Sequence, residues 1–300
     1  SGFNWIIQYL GQTMVAVFSK ESFKRLFSYS SKLLAASCIS VIYDNVYPLV
    51  IGKKFTAADV GQYTRAGQFP GVANDTIVGA LNRVAFPILS QVQDDDERLL
   101  RIYEKYIELT CFLVFPILMG LCGCAKPLVS FLLTDKWLAC VPLMQIICFS
   151  RLLNGVTTIN LNLLYVKGRS DLVLRLEFIK KSIAFLILFV SMFFNVKVMC
   201  YGLVLYSIIA TYLNTIYTDK ILGYSFWRQI QSVLPYLLVS LVVLAEALLA
   251  SRFIGSNILS LSVSLLVCIA TYWLVSKALN LNAYRESVDL IKSKLRHTRG

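Results

Sequence analysis

Apolar stretches long enough to cross a bilayer recur along this chain, and nothing else in it limits the possible folds so sharply. About 19 residues of helix span a ~30 Å hydrocarbon layer at 1.5 Å per residue. Eight stretches meet that length: Leu33 to Ile51, Gly67 to Leu89, Ile107 to Leu133, Leu138 to Val166, Leu172 to Phe194, Val198 to Thr218, Val233 to Phe253 and Asn257 to Lys277. The stretches are continuous and together rich in leucine, where barrel strands would be short and would alternate apolar with polar residues. The expected fold class is therefore an all-α polytopic membrane protein. At 57% apolar and 15% charged residues, against about 25% charged in soluble domains, the chain fits neither disorder nor a soluble globule. Phe3 to Phe18 reads as the end of a preceding transmembrane helix rather than a signal peptide, so an N-terminal portion is expected to be missing. The connecting loops are short and leave no room for an extramembrane domain.

The formal charge of +12 could suggest nucleic acid, but in a polytopic chain it reports orientation. Counted on alternate sides of the spans, 20 Lys and Arg fall on one side, from Lys20 through Lys167, Arg175, Lys180 and Lys181 to Arg299, and 7 on the other. The C-terminus is expected in the cytoplasm, and no nucleic-acid partner is expected. The tail from 280 to 300 is basic and amphipathic, suited to anionic membrane lipids. All eight cysteines lie in or beside apolar runs, where cysteine behaves as a small hydrophobe. The single histidine is His297, which leaves little for a metal site or a cofactor, and none is expected. Asp94-Asp95-Asp96-Glu97 could be a metal-binding run, but acidic residues at the start of a helix also serve as its cap, the preferred reading.

Polarity inside the spans is the main functional clue, because an ionised group at bilayer depth costs at least ~2.5 to 3.5 kcal/mol unless it faces protein or water. Gln68, Gly71, Asp75, Gly79 and Asn82 share one helical face, with Arg83 beside it. Ser37, Ser40, Asp44 and Tyr47 share another, and Arg151, Asn154, Thr158 and Asn162 a third. Small and weakly polar residues such as Ser37 and Gly71 also serve simply to hold helices together. The charged members point to a water-filled cavity in which Arg83, Arg151, Asn82, Asn154 and Gln68 bind substrate. Asp44 and Asp75 would supply counter-charge or bind a coupling ion. Glu246, alone in an apolar span, reads as a neutral or snorkelling acid. The seven prolines all lie in or at the edges of spans, as in hinged helices.

Several ordered segments are similar to those of the WzxC-type polysaccharide flippases of the multidrug/oligosaccharidyl-lipid/polysaccharide exporter superfamily. These are Gly61-Gln62-Tyr63-Thr64-Arg65-Ala66, Asn82-Arg83-Val84-Ala85-Phe86-Pro87, Asp135-Lys136-Trp137 and the run from Asn162 to Asp171. The resemblance implies the second six-helix lobe of a MATE-like fold at 19–225, two additional transmembrane helices at 226–279 and a cytoplasmic tail at 280–300, with 1–18 ending a preceding helix. It further implies transport of undecaprenyl-pyrophosphate-linked oligosaccharide across the bacterial inner membrane, with no enzymatic chemistry. Polysaccharide polymerase and glycosyltransferases would then be partners. Two alternatives stay open: a small-molecule or drug cation antiporter of the same fold, and a membrane enzyme of polysaccharide assembly.

Overall fold

The structure is a computed structural model that describes residues 20–254 and 256–285. The expectations for 1–18 and for the tail beyond 285 lie outside the described residues. Among those described there are ten α-helices, one 310 turn and no strand. The first four helices are α1 (Lys20–Lys54), α2 (Ala57–Gln91), α3 (Asp96–Gly123) and α4 (Ala125–Leu133). The 310 turn Asp135–Cys140 leads into α5 (Val141–Leu152), α6 (Asn154–Val166) and α7 (Ser170–Ser191). The chain continues through α8 (Val196–Leu222), α9 (Phe226–Phe253) and α10 (Asn257–Ala278). The break between α3 and α4 falls within one expected span and that between α5 and α6 within another, so the described residues make eight traverses of the bundle. Segments in six of them are long and apolar enough to cross a membrane.

The two traverses that fall short of that standard are α2 and α7, which carry several charged residues each; Arg65, Asp75 and Arg83 of α2 are exposed, whereas Glu177, Lys180 and Lys181 of α7 are buried. The sequence reading counts Lys180 and Lys181 with the basic side although they fall within the expected span Leu172 to Phe194; the structure places them ten and eleven residues into α7, 2% and 8% exposed. Removing them from the orientation count leaves the basic excess on the same side. That side, called the basic end here, holds the start of α1 and the end of α10.

Local signals set the helix ends. Thr56 and Asp59 form a reciprocal capping box at α2, with Asp59 N–H donating to Thr56 Oγ1 at 3.2 Å and Thr56 N–H donating to Asp59 Oδ2 at 3.0 Å. Asp95 caps α3 by accepting from Arg98 N–H at 3.0 Å, and Asp96 pairs with Lys167 at 2.7 Å, so the acidic run has structural employment. Gly168 and Gly223 turn the chain after α6 and α8 with φ of 68° and 64°, a conformation glycine adopts without a steric penalty.

Helix α3 is the axis of the bundle. Its buried face, including Leu99, Tyr103, Ile107, Cys111, Val114, Phe115 and Leu118, packs against α2, α5, α6 and α9. Of the last two helices, α10 lies outermost, with Leu265, Leu266 and Ile269 exposed, as a lipid-facing helix must be. α9 instead lies along α3, joined to it through Gly120 and Gly123 opposite Val243 and Ala247. Gln229 in α9 also enters a buried hydrogen-bond cluster with Asn160, Tyr103, Thr215 and Thr218.

Candidate functional site

A cavity of about 750 Å³ opens among α1, α2, α5, α6 and α8, displaced from the basic end. Its wall follows from helix periodicity. α1 contributes Tyr43, Asp44 and Tyr47, and α2 contributes Tyr63, Gln68 and Asp75. Arg151 comes from the last turn of α5 and Asn154 and Thr157 from the first turns of α6, while Tyr206 and Ser207 come from α8. The helix break at Leu153 delivers Arg151 to the wall, where the carbonyl end of α5 favours a cation.

The charges in this wall are compensated. Arg151 Nη1 lies 3.3 Å from Asp75 Oδ1, the two side chains 37% and 64% exposed. Asn74, fully buried, donates to the same oxygen at 3.0 Å. Asp44 faces Lys181 at 3.9 Å, and the Lys181 ammonium sits over the rings of Tyr43 and Tyr206, 4.3 and 5.4 Å from their centroids. Behind this layer Glu177 accepts from Ser40 Oγ at 3.0 Å and pairs with Lys180. The polar stripe of α1 therefore faces α7 with Ser40 and Glu177, and reaches the cavity with Asp44 and Tyr47.

Five expected site residues, Asp44, Gln68, Asp75, Arg151 and Asn154, come together here; Asn82 and Arg83 do not. Asn82 Oδ1 accepts from Tyr106 Oη and from Asn162 Nδ2, the latter at 2.7 Å, and so ties α2 to α3 and α6. Arg83 is exposed, farther toward the basic end. Lys181, Tyr43, Tyr63, Tyr206 and Ser207 belong to the site without having been expected there. A signal for Lys181 exists: Glu177, Lys180, Lys181 and Ala184 step by 3 and 4 along one helical face, too deep in the span for a loop. Glu246 lies in α9, away from the cavity, with Oε2 buried and no hydrogen-bond partner found.

Residues 3–142 match a family described as polysaccharide biosynthesis protein. The chain is similar to bacterial proteins of polysaccharide biosynthesis. It is 30% identical over 172 residues to an uncharacterized membrane protein in the cps region of Klebsiella pneumoniae, an alignment covering 57% of this chain and 36% of that protein. It is 28% identical over 144 residues to the lipopolysaccharide biosynthesis protein WzxC of Escherichia coli, covering 48% and 29%. A third relative is the succinoglycan biosynthesis transport protein ExoT of Rhizobium meliloti, 24% identical over 135 residues, covering 45% and 27%. The chain thus spans about a third of the length of these curated relatives. No solved structure matches it. The segment matching the polysaccharide biosynthesis family holds α1 to α4 and the α1 and α2 walls of the cavity; Arg151, Asn154 and the α8 wall lie beyond it.

Proposed function

We infer that this chain forms part of a flippase that carries undecaprenyl-pyrophosphate-linked oligosaccharide across the bacterial inner membrane, with its basic end and C-terminus on the cytoplasmic side. One observation carries the reading: an ionic, hydroxyl-rich cavity inside a bundle whose outer surface is apolar. Moving a glycan through hydrocarbon strips water from many hydroxyls, at ~4–8 kcal/mol each in a medium without hydrogen bonds. Tyrosine, serine, threonine, asparagine and glutamine side chains around the cavity replace those bonds, while the polyprenyl tail stays in lipid. Because Arg151 and Lys181 are each paired with a carboxylate, the wall binds by hydrogen bonding rather than by net charge. This also weighs against the cation antiporter, whose membrane acids would need to be available to the cation.

Access alternates between the two leaflets when the bundle rocks against the remainder of the full-length protein. The test is deletion of the complete gene followed by assay of lipid-linked oligosaccharide in each leaflet. Accumulation in the cytoplasmic leaflet is the expected result. Normal leaflet transfer with loss of polymer would favour an enzyme of assembly, and transport of cationic drugs without lipid-linked sugar would favour the antiporter.

A further inference from the structure

Two segments meet beside the Tyr63 and Thr64 edge of the cavity, the edge farther from the basic end and called its mouth here. Gly61–Ala66 is in the first turns of α2, and Asp135–Trp137 opens the 310 turn. Gln62 Nε2 donates to the Lys136 carbonyl at 3.5 Å across 74 residues of sequence. The Trp137 indole rests on Gly61, where a Cβ would touch its Cζ3 at 3.4 Å. Arg65, one turn further on, sets its guanidinium over the same indole, 5.3 Å from the ring centroid. Its Nη1 donates to Gln68 Oε1 at 2.9 Å, and Gln68 lines the cavity. Thr134, just before Trp137, has φ 76° and ψ 165°, a conformation costly for a β-branched residue and found where surrounding structure imposes it. The turn is anchored by the hydrogen bond from Ser130 to Asp135 and by Asn257 donating to Ser130 Oγ at 3.0 Å.

Arg65 differs from the other cations at the cavity. Arg151 has Asp75 and Lys181 has Asp44; among the described residues, no carboxylate lies within ion-pair distance of Arg65. Its plane is fixed by the indole and by Gln68, which uses one of five N–H donors, and the side chain is exposed. A guanidinium oriented in this way, with donors left over, suits bidentate recognition of a carboxylate or phosphate.

We propose that Arg65 is a substrate-binding residue that engages an oxyanion carried by the glycan, a carboxylate or phosphate substituent, at the cavity mouth. Trp137 is the positioning residue that holds its guanidinium in plane. The proposal rests on the flippase reading and adds a selectivity to it: acidic glycans gain an anchor at the mouth, and neutral ones pass without it.

The test uses the full-length protein in a strain lacking its own copy, supplied with two glycans on the same lipid carrier, one neutral and one bearing a uronic acid. Exported glycan is measured per unit of protein in the membrane. Wild type should export both. Arg65→Gln should lower export of the acidic glycan about tenfold or more and leave the neutral one within about twofold. Trp137→Leu should shift the ratio in the same direction, and Trp137→Phe should restore it. Arg65→Lys, which keeps the charge and loses the fork, should fall between, and it replaces Arg65→Gln if the latter fails to reach the membrane. Equal loss of both glycans, or loss of neither, at normal protein levels overturns the proposal and leaves the flippase reading standing. Wild-type failure on both glycans overturns that reading, and this proposal with it.

Discussion

Charge pairs of two kinds sit on either side of the cavity wall, and their burial separates their roles. Arg151 and Asp75 are 37% and 64% exposed, so their attraction contributes no more than ~1 kcal/mol to stability. Arg151→Gln and Asp75→Asn should therefore leave the amount of membrane protein near normal while lowering glycan export, and the double variant should cost less than the sum of the two. Quantitative blotting beside an export assay checks both. Lys180 and Glu177 are 2% and 9% exposed, and removing one partner strands a buried charge at ~3–5 kcal/mol. Lys180→Met alone should deplete folded protein, and Lys180→Met combined with Glu177→Leu should recover it. Outside the bilayer, hydrogen bonds from Thr56 hold the Asp59 carboxyl below its ordinary value of 3.8. That contribution is complete above the ordinary value and fades as pH falls through the lowered one. Thr56→Ala should cost about 1 kcal/mol at neutral pH. Acidification to about pH 3 should erode the thermal midpoint of wild type more than that of Asp59→Asn.

Close helix approach in this bundle depends on absent side chains. A Cβ on Gly123 would fall 2.4 Å from Ala247 Cβ and 3.1 Å from the Leu244 carbonyl, and one on Gly155 would fall 2.6 Å from Thr110 Cγ2. Gly123→Ala should part α3 from α9 at a cost of ~1–3 kcal/mol. Ala247→Gly should return part of that loss, because the backbone contacts remain. Gly155→Ala should be rescued more fully by Thr110→Ser, which removes the clashing methyl; melting of detergent-solubilised protein gives both comparisons. These contacts mark the limit of what sequence conveys. The all-helical class and the positions of the eight long segments were legible from apolar run length, though not the breaks at Cys124 and Leu153, and the cap at Asp95 was legible from its acidic run. The polar faces of α1 and α2 were legible from steps of 3 and 4, and with them Asp44, Gln68 and Asp75. Which neighbour a face meets is a tertiary fact: the α1 stripe meets Glu177 and Lys181 of α7, and Asn82 meets Asn162. Lys180 and Lys181 fell inside the expected span yet were counted with the basic side, because a count of charges by side takes no account of which helical face they occupy. Their helical period with Ala184 was the discriminating signal.

At the scale of the whole bundle, the cavity is bordered toward the basic end by layers of bonded polar side chains. Beyond Thr157 the polar side chains bond to one another: Asn82 with Tyr106 and Asn162, and Asn160 with Thr218, Gln229 and Tyr103. Each of these contacts joins different helices, so opening toward the basic end requires the layers to part together. A solute should accordingly reach the wall from the opposite end alone. Of the eight cysteines only Cys38 is exposed, so Cys38→Ser gives a low background for labelling. Single cysteines at Gln68, Asn154 and Ser207 should then react with a membrane-impermeant maleimide from the compartment facing the Trp137 turn. A cysteine at Arg83 should resist the reagent from that side, and weakening the closing layer with Asn160→Ala should begin to expose Asn154 from the other. Failure of all three wall positions to react from either compartment would mean the recess is dry, and carriage of a hydrated glycan through it would lose its physical basis.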